Sequence, residues 1–149
     1  MWIAEIAERA ITTAMASLDV TFRASRVDND ESAVTERKVY PAMVIMAGGG
    51  DSDSIESLFK EVSLTVQIIT HYESDPKCTT LAGLESQFME IVFVGIASNT
   101  IKTAFDAAAV AASETFYMKG ITDISGGMIE KTDKQQTITI NMTLHVCGS

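Results

Sequence analysis

Along residues 2–18 the apolar positions Ile3, Ile6, Ala7, Ala10, Ile11, Ala14 and Leu18 recur at spacings of three and four, which places them on one stripe of an amphipathic helix. The pattern then lapses. From Val20 to Thr35 the polar cluster Asp28, Asn29, Asp30, Glu31 and Ser32 offers no face to bury and predicts a connecting loop. Residues 38–46, KVYPAMVIM, are β-rich and apolar on both faces, and Pro41, which lacks an amide hydrogen, predicts an edge strand. AGGGDSDS at 47–54 has the composition of a flexible turn. In EVSLTVQIITHY, residues 61–72, Val62, Leu64, Val66 and Ile68 alternate with Ser63, Thr65 and Gln67, the period of a half-buried strand. A long antiparallel hairpin follows from this pair.

The second half repeats the theme. Asp75 followed by Pro76 predicts a helix start, because an aspartate caps free amides and proline tolerates the first helical position. Leu81, Leu84, Phe88, Ile91 and Val92 line one face of that helix, which is expected to end near Gly95. After a break at Ser98 and Asn99, the alanine-rich residues 100–112 predict a short third helix with Ile101, Ala104, Phe105, Ala108 and Ala112 at helical spacing. Residues 115–124, TFYMKGITDI, and 135–147, QQTITINMTLHVC, predict a second hairpin that turns around Ser125, Gly126 and Gly127 and the charged stretch beyond. In the last strand Ile138, Ile140, Met142, Leu144 and Val146 face one way, and Thr137, Thr139, Asn141, Thr143 and His145 the other. One face of the sheet is therefore expected to be wet, or covered by another subunit. Hairpins separated by helices give an α+β fold, an antiparallel sheet of about four strands with helices packed on one face. Each large aliphatic side chain buried between the layers contributes about 1.5 to 3 kcal/mol, so the helical stripes favour covering the apolar side of the sheet.

A chain of 149 residues, 46% hydrophobic, is expected to form a single domain over 1–149. Its 20 acids outnumber 11 bases, for a net charge of −9. The only basic region, Arg23, Arg26, Arg37 and Lys38, is interrupted by Asp28, Asp30, Glu31 and Glu36 and reads as a solvated loop. Such a balance argues against a conventional nucleic-acid binder, whose affinity comes from cations on phosphates. Cys78 and Cys147 could form at most one bridge, and usage this sparse suits a reducing compartment. Glu5 and Glu8 stand where a secretory leader is basic, and no apolar run reaches the ~20 residues of a membrane span. A protein made in the cytosol, with no membrane association, is expected.

Candidate chemistry is sparse. His145 and Cys147 lie two apart on a strand and could ligate a metal with His71, but zinc sites need three or four protein ligands and ordinary strand residues are the simpler reading. GGGD at 48–51 lacks the Gly-Lys-Ser ending and the following helix of a phosphate loop, so it reads as a hairpin tip. Asp51, Asp53 and Glu56 lack the glycine and spacing of a calcium loop. No serine sits on a Gly-x-Ser-x-Gly elbow, and Met43, Met46, Met89 and Met142 fall on apolar stripes as packing. No catalytic residue, cofactor or metal is expected.

An amphipathic first helix leads through a polar loop to ERKVYPAMVIM and then to EVSLTVQIITHY. SDPKCTTLAGLESQFMEIV follows as the helix covering the sheet, and FYMKGITDIS with QTITINMTLHV closes it as a hairpin. In this arrangement, which spans most of residues 2–147, the chain resembles the tail terminator and tail completion proteins of tailed bacteriophages. The alanine-rich stretch from Ile101 to Ala112 departs from that pattern as an addition. The resemblance implies a homo-oligomeric ring, usually hexameric, that caps the finished tail tube, stops its growth and presents a docking surface to the head connector or stopper protein. It implies a virion location at the head-proximal end of the tail, with DNA passing through without specific binding. On this reading Pro41 and the loop Gly48, Gly49, Gly50, Asp51, Ser52 and Asp53 are expected at subunit or tube contacts.

Two rival expectations stand beside it. Another head-to-tail part, such as a tube subunit, a stopper or a joining protein, would share small size, acidity and hairpin-rich sheets. A small ligand-binding or catalytic α+β protein would instead use the polar sheet face, with His71, His145 or Glu61 in its site.

Overall fold

The computed structural model describes residues 3–24, 40–49, 59–98, 100–132 and 134–148. The described elements run α1 (Ile3–Ala14), β1 (Thr21–Ala24), β2 (Ala42–Gly49), β3 (Phe59–His71), α2 (Thr79–Ser98), α3 (Thr100–Ala111), β4 (Tyr117–Ser125), β5 (Ile129–Lys131) and β6 (Gln135–Cys147). The fold is α+β. Its sheet has the order β1-β2-β3-β6-β4, with β5 also pairing β6. The expected antiparallel sheet of about four strands is thus corrected to a mixed sheet of six, because β1 pairs parallel with β2.

The centre of the sheet is the ladder between the two 13-residue strands. β3 and β6 pair antiparallel along their whole lengths, from Phe59 opposite Cys147 to His71 opposite Gln135. Alternation decides which way they face: Val62, Leu64, Val66 and Ile68 meet Ile138, Ile140, Met142, Leu144 and Val146 on one buried side. Against this side lie the helices. α1 buries Ile3, Ile6, Ala7, Ala10 and Ile11 against α3, β2 and β3, while α2 brings Leu81, Leu84, Phe88 and Val92 onto β3 and β6. The alanine-rich α3 joins the same core through Ile101, Phe105 and Ala109 and bridges α1 to β4.

Several expectations shift at their boundaries. The loop expected from Val20 begins later, since Thr21–Ala24 pairs with Ala42–Ile45. β2 is therefore not an edge over those residues. Pro41 sits one residue before the ladder, where its missing amide hydrogen breaks no pairing, and its carbonyl accepts the Thr21 amide at 2.8 Å. The second hairpin turns within the charged stretch expected to take part, and not at Ser125–Gly127. There the chain breaks β4 from β5, both antiparallel to β6, and the turn proper lies between Lys131 and Gln135. β4 carries register shifts after Met118 and after Thr122, and Asp123 has a φ of 54°. At the break a Cβ on Gly126 would lie 3.2 Å from both Ile140 Cγ1 and Met89 Cε, a tight contact to which those side chains would have to yield, and Gly127 has a φ of 109°.

Candidate functional site

The helices cover one face of the sheet and leave the other. The β3 residues Ser63, Thr65 and Gln67 stand opposite Thr143, Asn141 and Thr139 of β6, and Thr122 and Ser125 of β4 continue two of these rows. All are exposed or half-buried. Thr65 Oγ1 donates to Asn141 Oδ1 at 2.9 Å, so part of the surface satisfies its own polar groups across the strands. Towards β2 the face turns apolar: Ala42, Val44 and Ile69 form a small buried cluster with Tyr40 and Met46.

At one end of this face His145 Nε2 lies 2.6 Å from Thr122 Oγ1, and its Nδ1 lies 4.0 Å from Glu61 Oε1. Beside them Phe59 and Tyr117 flank Cys147 in a single row, Phe59 with the Lys119 ammonium 5.4 Å from its ring centre and Tyr117 with that of Lys102 at 5.9 Å. The Tyr117 phenol is held above the ordinary tyrosine range. Its hydrogen bond to the Cys147 side chain is the main cause, with the Cys147 charge and desolvation adding to it and Lys102 opposing. At the other end His71 is buried, its Nδ1 accepting the Glu73 amide at 3.2 Å and its ring meeting Tyr40 edge-on. Tyr40 in turn donates its hydroxyl to Gln135 Oε1 at 2.8 Å.

His71 and His145 are therefore not neighbours. Ten positions of β3 separate His71 from Glu61, the partner of His145, which at ~3.3 Å per residue is roughly 33 Å. Among the described residues no three His, Cys, Asp or Glu side chains gather as metal ligands. Pro41 and the glycines Gly48 and Gly49 are likewise parted, standing before and at the end of β2, about 23 Å apart by the same rise. Gly50, Asp51, Ser52 and Asp53 lie outside the described residues. Beyond the end of β1, the Ala47 amide of β2 is held by Glu8 Oε1 of α1 at 3.0 Å, a tie between helix layer and sheet that no periodicity marks.

Asp75, expected as a helix cap, stands at the centre of a buried polar network beneath the start of α2. Asp75 accepts the Thr80 amide at 2.9 Å on Oδ1, and the Leu81 amide at 3.0 Å and the Thr70 hydroxyl at 3.1 Å on Oδ2. Gln136 donates to the Asp75 carbonyl at 2.6 Å and accepts from the Cys78 thiol. Every donor has an acceptor, and the network anchors helix to sheet. The described residues also line an open cleft of about 530 Å³ between the end of α1, the middle of α2 and the start of α3, with Ala14, Leu18, Gln87, Glu90, Ile91 and Thr100 in its lining. Among the described residues that line it, Glu90 is the one ionisable group, and Ser17 and Thr100 add hydroxyls.

No protein-family model matches the chain, and no curated protein is significantly similar to it.

Proposed function

We propose that the chain is a structural component of a phage particle, a tail terminator or tail completion protein that closes as a homo-oligomeric ring, usually hexameric, on the head-proximal end of the tail tube. In this role it arrests tube growth and meets the head connector or stopper protein, and its work is done by shape and contact. The observation that carries the reading is the one-sided architecture. Among the described residues, three helices cover one side of the sheet, while the other presents Thr, Ser, Asn and Gln rows and holds no convergent catalytic set. A charge of −9 fits a ring that DNA must traverse, because the chain offers phosphates little counter-charge. Pro41 and the Gly48–Asp53 loop are assigned to subunit or tube contacts in this reading.

Light scattering and negative-stain microscopy of the purified chain, alone and added to growing tubes, test the proposal. A closed ring that stops tube elongation supports it. Long hollow cylinders would identify a tube subunit instead, and a monomer that leaves tube growth unaltered would overturn the reading. The Thr122–His145–Glu61 contacts favour a second reading, a ligand site on the sheet face. That reading requires His145→Ala to abolish binding or turnover of a small molecule, whereas the assembly reading expects ring yield to stay nearly unchanged.

A further inference from the structure

We infer that the Phe59 and Tyr117 end of the open sheet face is a contact through which two copies of the chain pair about a two-fold axis. Phe59 of β3 and Tyr117 of β4 stand in one row with Cys147 of β6 between them. They are 67% and 41% exposed, whereas Cys147 is buried. Exposed aromatic rings make effective anchors for a protein contact, because each buries a large apolar area and gives up few rotamers. Both rings are held before any partner arrives. The Tyr117 hydroxyl is bonded to the Cys147 side chain, and the Lys119 ammonium lies 5.4 Å from the centre of the Phe59 ring.

The charges around the rings decide which partner fits. Glu61, two residues along β3 from Phe59, has a side chain that is 75% exposed, and Lys119 is exposed on β4 across the same stretch of β6. A polyanion or an acidic peptide would meet the Glu61 carboxylate in a chain of net charge −9, and the nearby Lys102 is ion-paired with Asp106. A basic partner would meet Lys119. The patch suits a surface with one acid and one base on either side of an apolar centre, and a second copy carries that surface itself. The register supplies the fit. Glu61 pairs with His145, and His145 with Gly120 beside Lys119, so the acid and the base flank β6 at nearly one level, as Phe59 and Tyr117 do one row away. An axis running along β6 lays Phe59 of one copy against Tyr117 of the other, and Glu61 against Lys119, twice over. Thr122 and His145, in contact with each other beside these rows, form part of the polar rim. A two-fold contact closes at two partners, so it is distinct from the head-to-tail contact of a ring and stands whether or not a ring forms.

Charge reversal tested in trans separates a second copy from any other occupant. Sedimentation equilibrium of the wild-type chain should show pairs that grow with concentration; if the chain also closes as a ring, the same contact joins two rings and the mass is read in ring units. Glu61→Lys alone and Lys119→Glu alone each set like charges face to face and should raise the dissociation constant about tenfold or more. Mixed in equal amounts, the two variants recover both attractions in a mixed pair, and pairing should return at wild-type concentrations. Phe59→Ser, which removes an exposed ring and leaves every charge in place, should abolish pairing while preserving the circular dichroism of the fold. A wild-type chain that stays unpaired up to about 1 mM overturns the inference. So does a mixture that pairs no better than its parts, or a Phe59→Ser chain that pairs as wild type does. None of these results bears on whether the chain arrests tube growth, so the functional reading is tested separately.

Discussion

Asp75 does more for this fold than one carboxylate usually does. It stops two free amides at the start of α2, holds the Thr70 hydroxyl of β3, and through its own carbonyl receives Gln136 of β6. Asp75→Ala is expected to cost about 1–2 kcal/mol, the upper range for a lost helix cap, read as a lower urea midpoint. Asp75→Asn keeps one acceptor oxygen and should recover part of the loss. The Asp75–Pro76 signal was legible in the sequence, but the helix begins only at Thr79. Between them Cys78 takes a φ of 57°, a left-handed turn that nothing in its side chain advertises. The Tyr117 phenol gives a second prediction. Its raised pKa means that the folded chain keeps the proton at a pH where the unfolded chain sheds it, so the contribution is complete below about pH 10 and lost as pH climbs through the folded value. Ultraviolet titration should show one tyrosine ionising late, and Tyr117→Phe should remove that phase.

Among the elements, those with long periodic signals were readable and the short ones were not. β6 spans Gln135–Cys147 as its alternation implies, and α3 begins at Thr100 as its spacing implies, although α2 runs on to Ser98 and does not end near Gly95. β1 and β5 escaped because four and three residues are too few to show a period, and Ser125–Gly127 has turn composition although it only interrupts an edge. The same difference predicts a stability order. Amide exchange should be slowest in β3 and β6, which pair with each other over 13 residues, and fastest in β5, whose three residues are all exposed. α3 belongs to the core and is no appendage. Phe105 is fully buried, and Phe105→Ala should cost roughly 3–5 kcal/mol in denaturant unfolding.

At the scale of the whole molecule, the layering of helices on one face was legible because both stripes and both strands declare an apolar side. The parallel pairing of β1 with β2 was not, since it joins segments whose register is fixed by tertiary contact. Pro41 stands just before β2 and Gly48 near its far end, so the candidate contact residues are placed at opposite ends of one strand. One further consequence lies in the rim formed by β4 and β5. A long straight border would let identical chains stack strand upon strand without limit. Here the kink at Asp123 and the gap at Gly126–Met128 leave a newcomer no continuous stretch to zip along. Crowded copies are thereby hindered from growing as fibres along this border.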